Sequence, residues 1–309
     1  MTRIADPAAG TRPGRGEASP EPAALTPNQL ILHRAKRHPG LQIGGAVTLL
    51  IVLAALLAPW IAPHDPIQQD LLAKLRPPVW DPKGGWDHLF GTDIYGRDFF
   101  SRILYGARVS VVIGFFAALI SAIVGSAIGI LGGYFGGRVD AVVMYLVNVK
   151  LALPGLMVAL ALVSVTGGSI LALVLVLAFL FWDRYAIVCR AVTQQIRVQD
   201  YVQAAVATGA SNSRILLSEV LPNLTSQIIV LMSLEMALAI IVEASLSFLG
   251  LGVQPPTPSW GLLIAEGRQF LFFKPSLIVI PGIAIFLLVL AISLLGDGLR
   301  DVTATEGKE

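Results

Sequence analysis

The side chains most able to do chemistry in this 309-residue chain are four histidines, one cysteine and a pair of ionisable groups near the middle of apolar runs. The histidines are His33, His38, His64 and His88, and their spacing matches no metal-ligand pattern. They are predicted to be polar surface residues, and the sequence indicates no metal site. Cys189 has no second cysteine to pair with, so it is predicted to be a small apolar filler.

Lys150 and Glu235 are two ionisable groups that fall near the middle of long apolar runs, whereas Glu243 lies nearer the outer end of its run and is predicted to be an interfacial or gate-adjacent acid. At 1.5 Å per residue Lys150 and Glu235 both lie about 15 Å from the same end of their runs. Because an isolated charge in lipid costs at least about 2.5 kcal/mol, we predict that they pair with each other or face a wet pathway. The alternative for Lys150 is that its stem follows the apolar surface and carries the ammonium group to the interface.

Motifs for nucleotide chemistry are missing from the sequence. There is no G-x-x-x-x-G-K-[ST] motif, and the only Gly-Lys pair, Gly307-Lys308, is followed by Glu309. The chain is therefore predicted not to be an enzyme and to bind no cofactor. The net charge of +2 and the lack of a basic stripe with interleaved aromatic residues give no indication of nucleic-acid binding.

The elements that position these groups are predicted to be membrane helices. Hydrophobic residues make up 55% of the chain and charged residues 14%, whereas a soluble domain carries about 25% charged residues. Six segments have the roughly 20 apolar residues that a span needs: 41–62, 109–131, 141–165, 170–188, 226–249 and 276–296. The predicted fold class is all-α, a polytopic bundle of six transmembrane helices. Ser121, Gly125 and Gly129 predict a close helix contact in the second span.

The distribution of Lys and Arg predicts that both termini lie in the cytoplasm. More of these residues fall in the segments that this orientation places inside, including Arg34, Lys36 and Arg37 before the first span. Residues 1–39, rich in Pro, Ala, Gly and Arg, are predicted to be a disordered cytoplasmic tail. Residues 64–108 then form an external loop, residues 189–224 a cytoplasmic loop, and residues 302–309 a cytoplasmic C-terminal tail.

The polar segment 199–223, "QDYVQAAVATGASNSRILLSEVLPN", separates the fourth and fifth spans. Asp200 with Gln203 resembles a capping box, and Gly209 supplies the left-handed residue that ends the first short helix. Ser211 or Ser213 is expected to cap a second helix, and Pro222 to end it. Two interpretations stay open for this segment: an amphipathic connector at the interface, or a docking element for a soluble partner.

The same segment resembles the EAA loop of ABC-importer permeases. The matching positions are Gln203, Ala204, Ala205, Gly209, Leu221 and Pro222, with Gln203 where the family pattern has glutamate. Three more stretches resemble the oligopeptide/dipeptide/nickel branch: "HLFGTDIYGRDFFSRILYGARVSVVIG", "EASLSFLGLGVQPPTPSWG" and "LLGDGLRD". The resemblance covers residues 59–301 and implies the type I ABC-importer permease fold for a domain at 40–301.

The resemblance implies a permease subunit of the bacterial inner membrane that forms half of a pathway for dipeptides, oligopeptides or a related solute. The implied partners are a second homologous permease, two cytoplasmic ATPases that use ATP and Mg²⁺, an extracytoplasmic solute-binding protein and membrane lipid. The ATPases would act on the six matched residues together with Ala210, Ser211 and Arg214. The alternatives to this function are an ion-driven secondary carrier and a non-transport scaffold. For His64 or His88, nickel binding is kept as an alternative to a polar surface role.

Two stretches in the predicted external segments are candidate contacts for the solute-binding protein. "GTDIYGRD" is predicted to be a tight turn built by Asp93, Gly96, Arg97 and Asp98. "QPPTPSWG" is predicted to be stiff and extended, with Trp260 anchored at the membrane interface. Asp93, Arg97, Asp98 and Trp260 are the candidate contact residues. The alternative is that the turn is structural and holds the start of the second span.

Overall fold

The computed structural model describes residues 33–303, and all regular elements in that range are helical. In chain order the helices are α1 (Pro39–Leu56), α2 (Ala58–Ile61), α3 (Phe99–Phe135), α4 (Gly137–Leu151), α5 (Gly155–Thr166), α6 (Ile170–Ile196), α7 (Asp200–Ala207), α8 (Asn212–Phe248), α9 (Trp260–Gly267) and α10 (Ser276–Thr303). Short 3-10 turns occur at Leu71–Ala73 and Arg268–Phe270. The predicted all-α class is confirmed. Most of the predicted tail 1–39, and residues 304–309, lie outside the described residues.

Within residues 33–303, five helices are long and apolar enough to cross a membrane, namely α1, α3, α6, α8 and α10. α4 and α5 meet this criterion only together, and they meet at an angle of 84°. The predicted single span 141–165 is therefore broken. Pro154 precedes α5 in an extended conformation and disfavours helical geometry at Leu153, so the chain bends between the two helices.

The helices extend beyond the apolar runs that predict them. α3 begins at Phe99, inside the segment predicted as external loop, because the Asp98 side chain accepts a hydrogen bond from the Ser101 amide at 2.8 Å and caps the helix. α10 continues to Thr303, past the predicted end of the sixth span at 296. Hydropathy locates the part of a helix that lies in lipid, whereas capping groups decide where the helix ends.

The close contact predicted from small residues in the second span is confirmed. It joins α3 to α6, and a Cβ atom at Gly125 would lie 2.1 Å from the backbone oxygen of Trp182. A Cβ atom at Gly129 would lie 2.4 Å from that of Ala186. Ser121 donates its hydroxyl to the backbone oxygen of Ala178 at 3.0 Å. Residues without large side chains thus let the two backbones touch.

Candidate functional site

The candidate coupling loop, residues 199–223, is a short helix, a tight turn and the first turns of α8. α7 ends in a turn at Gly209, whose φ of 78° lies in the left-handed region that favours glycine. The Ala210 amide donates to the Ala205 carbonyl at 3.0 Å and closes this turn. Ser211 then accepts from the Arg214 amide at 3.4 Å at the start of α8. The predicted Gly209 turn and the Ser211 cap are confirmed.

The predicted capping box of the loop does not form. Gln199 is the N-cap of α7 and makes no side-chain cap bond. Gln203 instead donates its amide to the backbone oxygen of Arg197 at 2.7 Å. The side chain that stands where the family pattern has glutamate therefore fastens the loop back to the end of α6.

The prediction that Pro222 ends the second helix is wrong. The helix passes through Pro222 and continues to Phe248. Residues Ile215–Val220 are a π-helix, and the Leu221 amide donates to the Leu216 carbonyl five residues earlier. Pro222 lies in the first turn after this wide segment, where the hydrogen-bond register changes and a missing backbone donor is tolerated.

One side of the loop is packed and the other is uncovered. Val202, Ile215 and Val220 are at most 1% exposed and pack with α6 and α8 residues. Tyr201, Val206 and Leu217 are exposed. Of the predicted coupling residues, Ala205 and Ala210 are half-buried; the exposed ones are Gln203, Ala204, Gly209, Ser211, Arg214, Leu221 and Pro222. Two of the exposed residues, Gly209 and Arg214, line a concavity with Thr208 and Glu219. The loop is thus fixed to the bundle and open to a partner.

Of the two alternatives predicted for Lys150 and Glu235, the direct pair is wrong, and a position on a wet pathway stays a prediction. Lys150 forms an ion pair with Asp183, whereas Glu235 accepts from Arg184 at 3.0 Å. Asp183 and Arg184 are consecutive on α6, which contacts both α4 and α8. Because consecutive helix residues point about 100° apart, one position on α6 serves each neighbouring helix. Similar depth identified two charges within the spans but could not identify their partners.

A second ion pair joins the α4 and α6 helices nearer their other ends. Arg190 contacts the carboxylate of Asp140 through two nitrogens, and the Nη2–Oδ2 distance is 2.6 Å. Such a bidentate arrangement fixes the relative position of the two side chains. Together with Lys150–Asp183, it ties the first half of the broken span to α6 at two levels.

Four charged side chains form a buried group that we call the charge cluster: Asp93, Arg97, Arg102 and Glu266. Arg97 donates to Asp93 at 2.6 Å and to both oxygens of Glu266 at 3.1 Å. Arg102 donates to Glu266 at 2.6 Å and also contacts Asp93. The Arg102 side chain is 0% exposed and that of Glu266 is 14% exposed. The cluster joins the loop before α3 to α9.

Burial contradicts the prediction that Asp93, Arg97, Asp98 and Trp260 contact a binding protein directly. Each is at most 3% exposed. Asp93 accepts from the Tyr95 and Arg97 amides at 2.8 and 3.0 Å, so the predicted tight turn is confirmed as a structural one. Trp260 is not an interfacial anchor, because its indole donates to the Ile103 carbonyl at 2.9 Å inside the protein.

Three charged residues of this region were not among the predicted site residues: the buried Arg102 and Glu243 and the half-buried Glu266. Glu243 is 0% exposed and accepts from Ser247 at 2.8 Å and from Ser259 at 3.0 Å, with Ser110 at 3.5 Å. The available signal was charge inside an apolar context, since Glu243 lies within the fifth predicted span.

Comparison with known proteins decides the family. The family described as "Binding-protein-dependent transport system inner membrane component" matches residues 110–304, and the "N-terminal TM domain of oligopeptide transport permease C" matches residues 26–78. The chain belongs to the binding-protein-dependent permease family. This membership confirms the predicted role as a permease subunit of an ABC importer, a multi-pass protein of the inner membrane. The family implies ATPase and binding-protein partners.

Relatives of the permease align over nearly its whole length. It is 41% identical over 280 residues to the dipeptide transport system permease protein DppC of Escherichia coli K12, covering 91% of this chain and 93% of the relative. It is 39% identical over 279 residues to the DppC protein of Haemophilus influenzae, covering 90% and 95%. A putative peptide transport system permease of Brucella abortus is 39% identical and covers 98% and 97%.

The fold of the permease is also found in a solved transporter. A chain of the inward-facing MetNI methionine ABC transporter superposes with a TM-score of 0.51. The match has 14% sequence identity and covers 66% of the permease and 97% of that chain. The likeness concerns architecture alone and confirms the predicted ABC-importer permease fold.

Residues 79–109, which hold most of the charge cluster, fall between the two family matches.

Proposed function

We propose that the permease forms half of a peptide pathway and that a second homologous permease supplies the other half. The observation that carries this proposal is the alignment with DppC proteins at 39–41% identity over 90–91% of the chain. The names of those relatives specify dipeptides, so di- and oligopeptides are the proposed cargo. Delivery by an extracytoplasmic solute-binding protein follows from the family to which the chain belongs.

The coupling loop is the proposed contact for two cytoplasmic ATPases. Its packed side, centred on Val202, would transmit movement to α6 and α8, while exposed Val206 and Leu217 would touch the partner. An amphipathic helix placed in a groove is a common mode of docking. In this proposal the ATPases bind ATP and Mg²⁺ and carry out hydrolysis, and the permease contributes no catalytic group.

The proposed orientation places both termini in the cytoplasm with the coupling loop. His38, which precedes α1, contacts Asp301 near the end of α10 at 3.1 Å. The start of the first span and the end of the last span therefore lie at the same face of the bundle. A chain that crosses the membrane an even number of times has this arrangement. Residues 64–98 are then external, and the charge cluster lies on the side where a binding protein would arrive.

Crosslinking tests the coupling proposal. A photoactivatable reagent is attached to a Val206→Cys variant, and the permease is assembled with its ATPases in detergent. The natural Cys189 is 1% exposed and should react little. We expect capture of ATPase from Val206→Cys and none from the control Leu72→Cys, which is 95% exposed in the opposite loop. Equal capture from both variants, or none from Val206→Cys, would contradict the proposal.

Uptake measurements test the peptide proposal. Proteoliposomes that contain the full transporter should take up a labelled dipeptide only under two conditions. ATP must be present on the face of the membrane that holds the ATPases, and the binding protein must be present on the opposite face. Uptake that needs no ATP and follows a proton or sodium gradient would instead identify a secondary carrier. ATP-dependent uptake of non-peptide solutes alone would support ATP-driven import but would contradict the proposal that peptides are the cargo.

A further inference from the structure

Three potential metal ligands from separate parts of the chain meet beside the charge cluster. His64 follows α2, His88 lies in the long loop, and Asp98 caps α3. Asp98 Oδ1 lies 2.9 Å from His88 Nδ1 and 3.7 Å from His64 Nδ1. All three ligand atoms lie within 4.8 Å of one another. The fold thus brings together two imidazoles and a carboxylate that sequence spacing does not connect.

The spacing of these atoms suits a small divalent transition ion. Zn²⁺ binds histidine nitrogen and carboxylate oxygen at about 2.0–2.2 Å in a tetrahedral arrangement, which sets ligands roughly 3.4 Å apart. The two measured separations, 2.9 and 3.7 Å, lie on either side of that value. The two histidine nitrogens lie within 4.8 Å of each other, so binding one ion would bring them closer together by up to about 1.4 Å.

Hydrogen bonds around Asp98 orient its free oxygen toward the two histidines. Asp98 Oδ2 accepts from the Ser101 amide at 2.8 Å and from the Ser101 hydroxyl at 2.7 Å. The Ser101 hydroxyl oxygen in turn accepts from the His64 amide at 3.2 Å. Such outer contacts fix ligand geometry in metal sites. Here a single serine positions the carboxylate and the backbone of one histidine.

Exposure leaves one side of the group open. The Asp98 side chain is 0% exposed and that of His88 is 15% exposed, whereas that of His64 is 41% exposed. An ion could enter past His64, and water could complete its coordination. Three protein ligands with water in the fourth position are found in open Zn²⁺ sites, whereas closed structural sites have four protein ligands.

We propose that His64, His88 and Asp98 bind one divalent transition-metal ion of the Zn²⁺ class. The ion would join the segment after the first two helices, the loop before α3 and the start of α3. The site contains none of the charge-cluster residues and lies far along the chain from the coupling loop. It replaces the sequence-based prediction that these histidines are unconnected surface groups.

The permease contains a matched control for this site. His38 and Asp301 form another His–Asp pair, with 3.1 Å between their nearest atoms. The metal-ligand group found among the described residues comprises only His64, His88 and Asp98. Loss of His38 therefore removes a similar histidine–carboxylate contact without removing a ligand of the proposed site.

Zinc titration tests the site on the full-length permease in detergent, purified through a histidine-free tag and stripped with chelator. We expect one Zn²⁺ per chain in the wild type and in His38→Ala. Loss of an outer contact weakens metal sites by about 10–100-fold, and we expect that range for Ser101→Ala. His64→Ala and His88→Ala each remove a ligand, so each should weaken Zn²⁺ binding by more than Ser101→Ala does. His64 is exposed, so its replacement should leave the fold intact.

Cobalt substitution provides a second readout that does not depend on affinity. Co²⁺ added to the stripped wild type and to His38→Ala should give the visible absorption of a four-coordinate ion, and His64→Ala should lose it. Thermal unfolding of each variant without metal identifies any that fail to fold. The proposal is overturned if the wild type binds no Zn²⁺ at micromolar concentrations, or if His64→Ala and His88→Ala bind it as the wild type does.

Discussion

The charge cluster and the coupling loop both consist of polar sequence between apolar spans, yet the fold treats them in opposite ways. In the cluster, Arg97 and Arg102 contact the carboxylates of Asp93 and Glu266 and are hidden from solvent. In the loop, Val206 and Leu217 are 50% and 65% exposed. The difference teaches that one polar segment between spans can be buried as internal framework, while another stays uncovered and offers apolar side chains to the proposed partner.

The largest effect should follow from breaking the cluster at its most buried member. Arg102→Ala leaves the Asp93 and Glu266 carboxylates with one fewer cation. Removing one member of a buried ion pair costs about 3–5 kcal/mol, because the remaining charge is left uncompensated. We expect the variant to unfold at a markedly lower temperature than the wild type in detergent, or to give little folded protein.

Arg108→Ala is the control for this prediction, because Arg108 is an exposed arginine later in the same helix. It should change the free energy of unfolding by no more than about 0.5 kcal/mol. If Arg102→Ala were as mild as Arg108→Ala, the cluster would not contribute to stability, and the contrast between the two regions would fail.

The contrast also explains which features could be predicted from sequence. Apolar runs of span length identified the membrane helices, and local rules identified the Gly209 turn and the Ser211 cap, since both depend on nearest neighbours. Burial of Arg97 and Trp260 could not be found this way, because it depends on α9 packing against a loop more than 150 residues earlier. The partners Asp183 and Arg184 were missed for the same reason.

Other misses came from backbone features that composition does not record. Pro154 and Pro222 are both prolines beside helices, but one marks a bend of 84° and the other lies inside a continuous helix. The π-helical segment Ile215–Val220 lies just before Pro222 and allows the helix to continue through this proline. Residue type alone does not distinguish the two prolines. The metal-ligand group at His64 likewise exists only once three segments are folded together.

An intermediate effect should follow from changing the loop's turn. Gly209→Ala places a side chain in the left-handed region at a cost of about 1–2 kcal/mol, although no atom would contact the new Cβ within 4 Å. We expect a modest drop in unfolding temperature and a larger loss of ATP-driven uptake. The control is Gly282→Ala, also free of contacts but inside helix α10. It should be neutral or stabilising by about 0.5–1 kcal/mol. The opposite ranking would show that the turn at Gly209 does not require glycine.

The smallest effect on stability should come from the exposed side of α7. Val206→Asp changes a half-exposed side chain, so the free energy of unfolding should stay within about 0.5 kcal/mol of the wild type. Because the coupling proposal places this side chain against an apolar partner surface, a buried carboxylate there should weaken ATPase association and uptake. Co-purification of the ATPases measures the first and proteoliposome uptake the second, with Leu72→Asp in the opposite loop as control. Normal association and uptake in Val206→Asp would mean that the uncovered face of the loop is not the site that receives the ATPases.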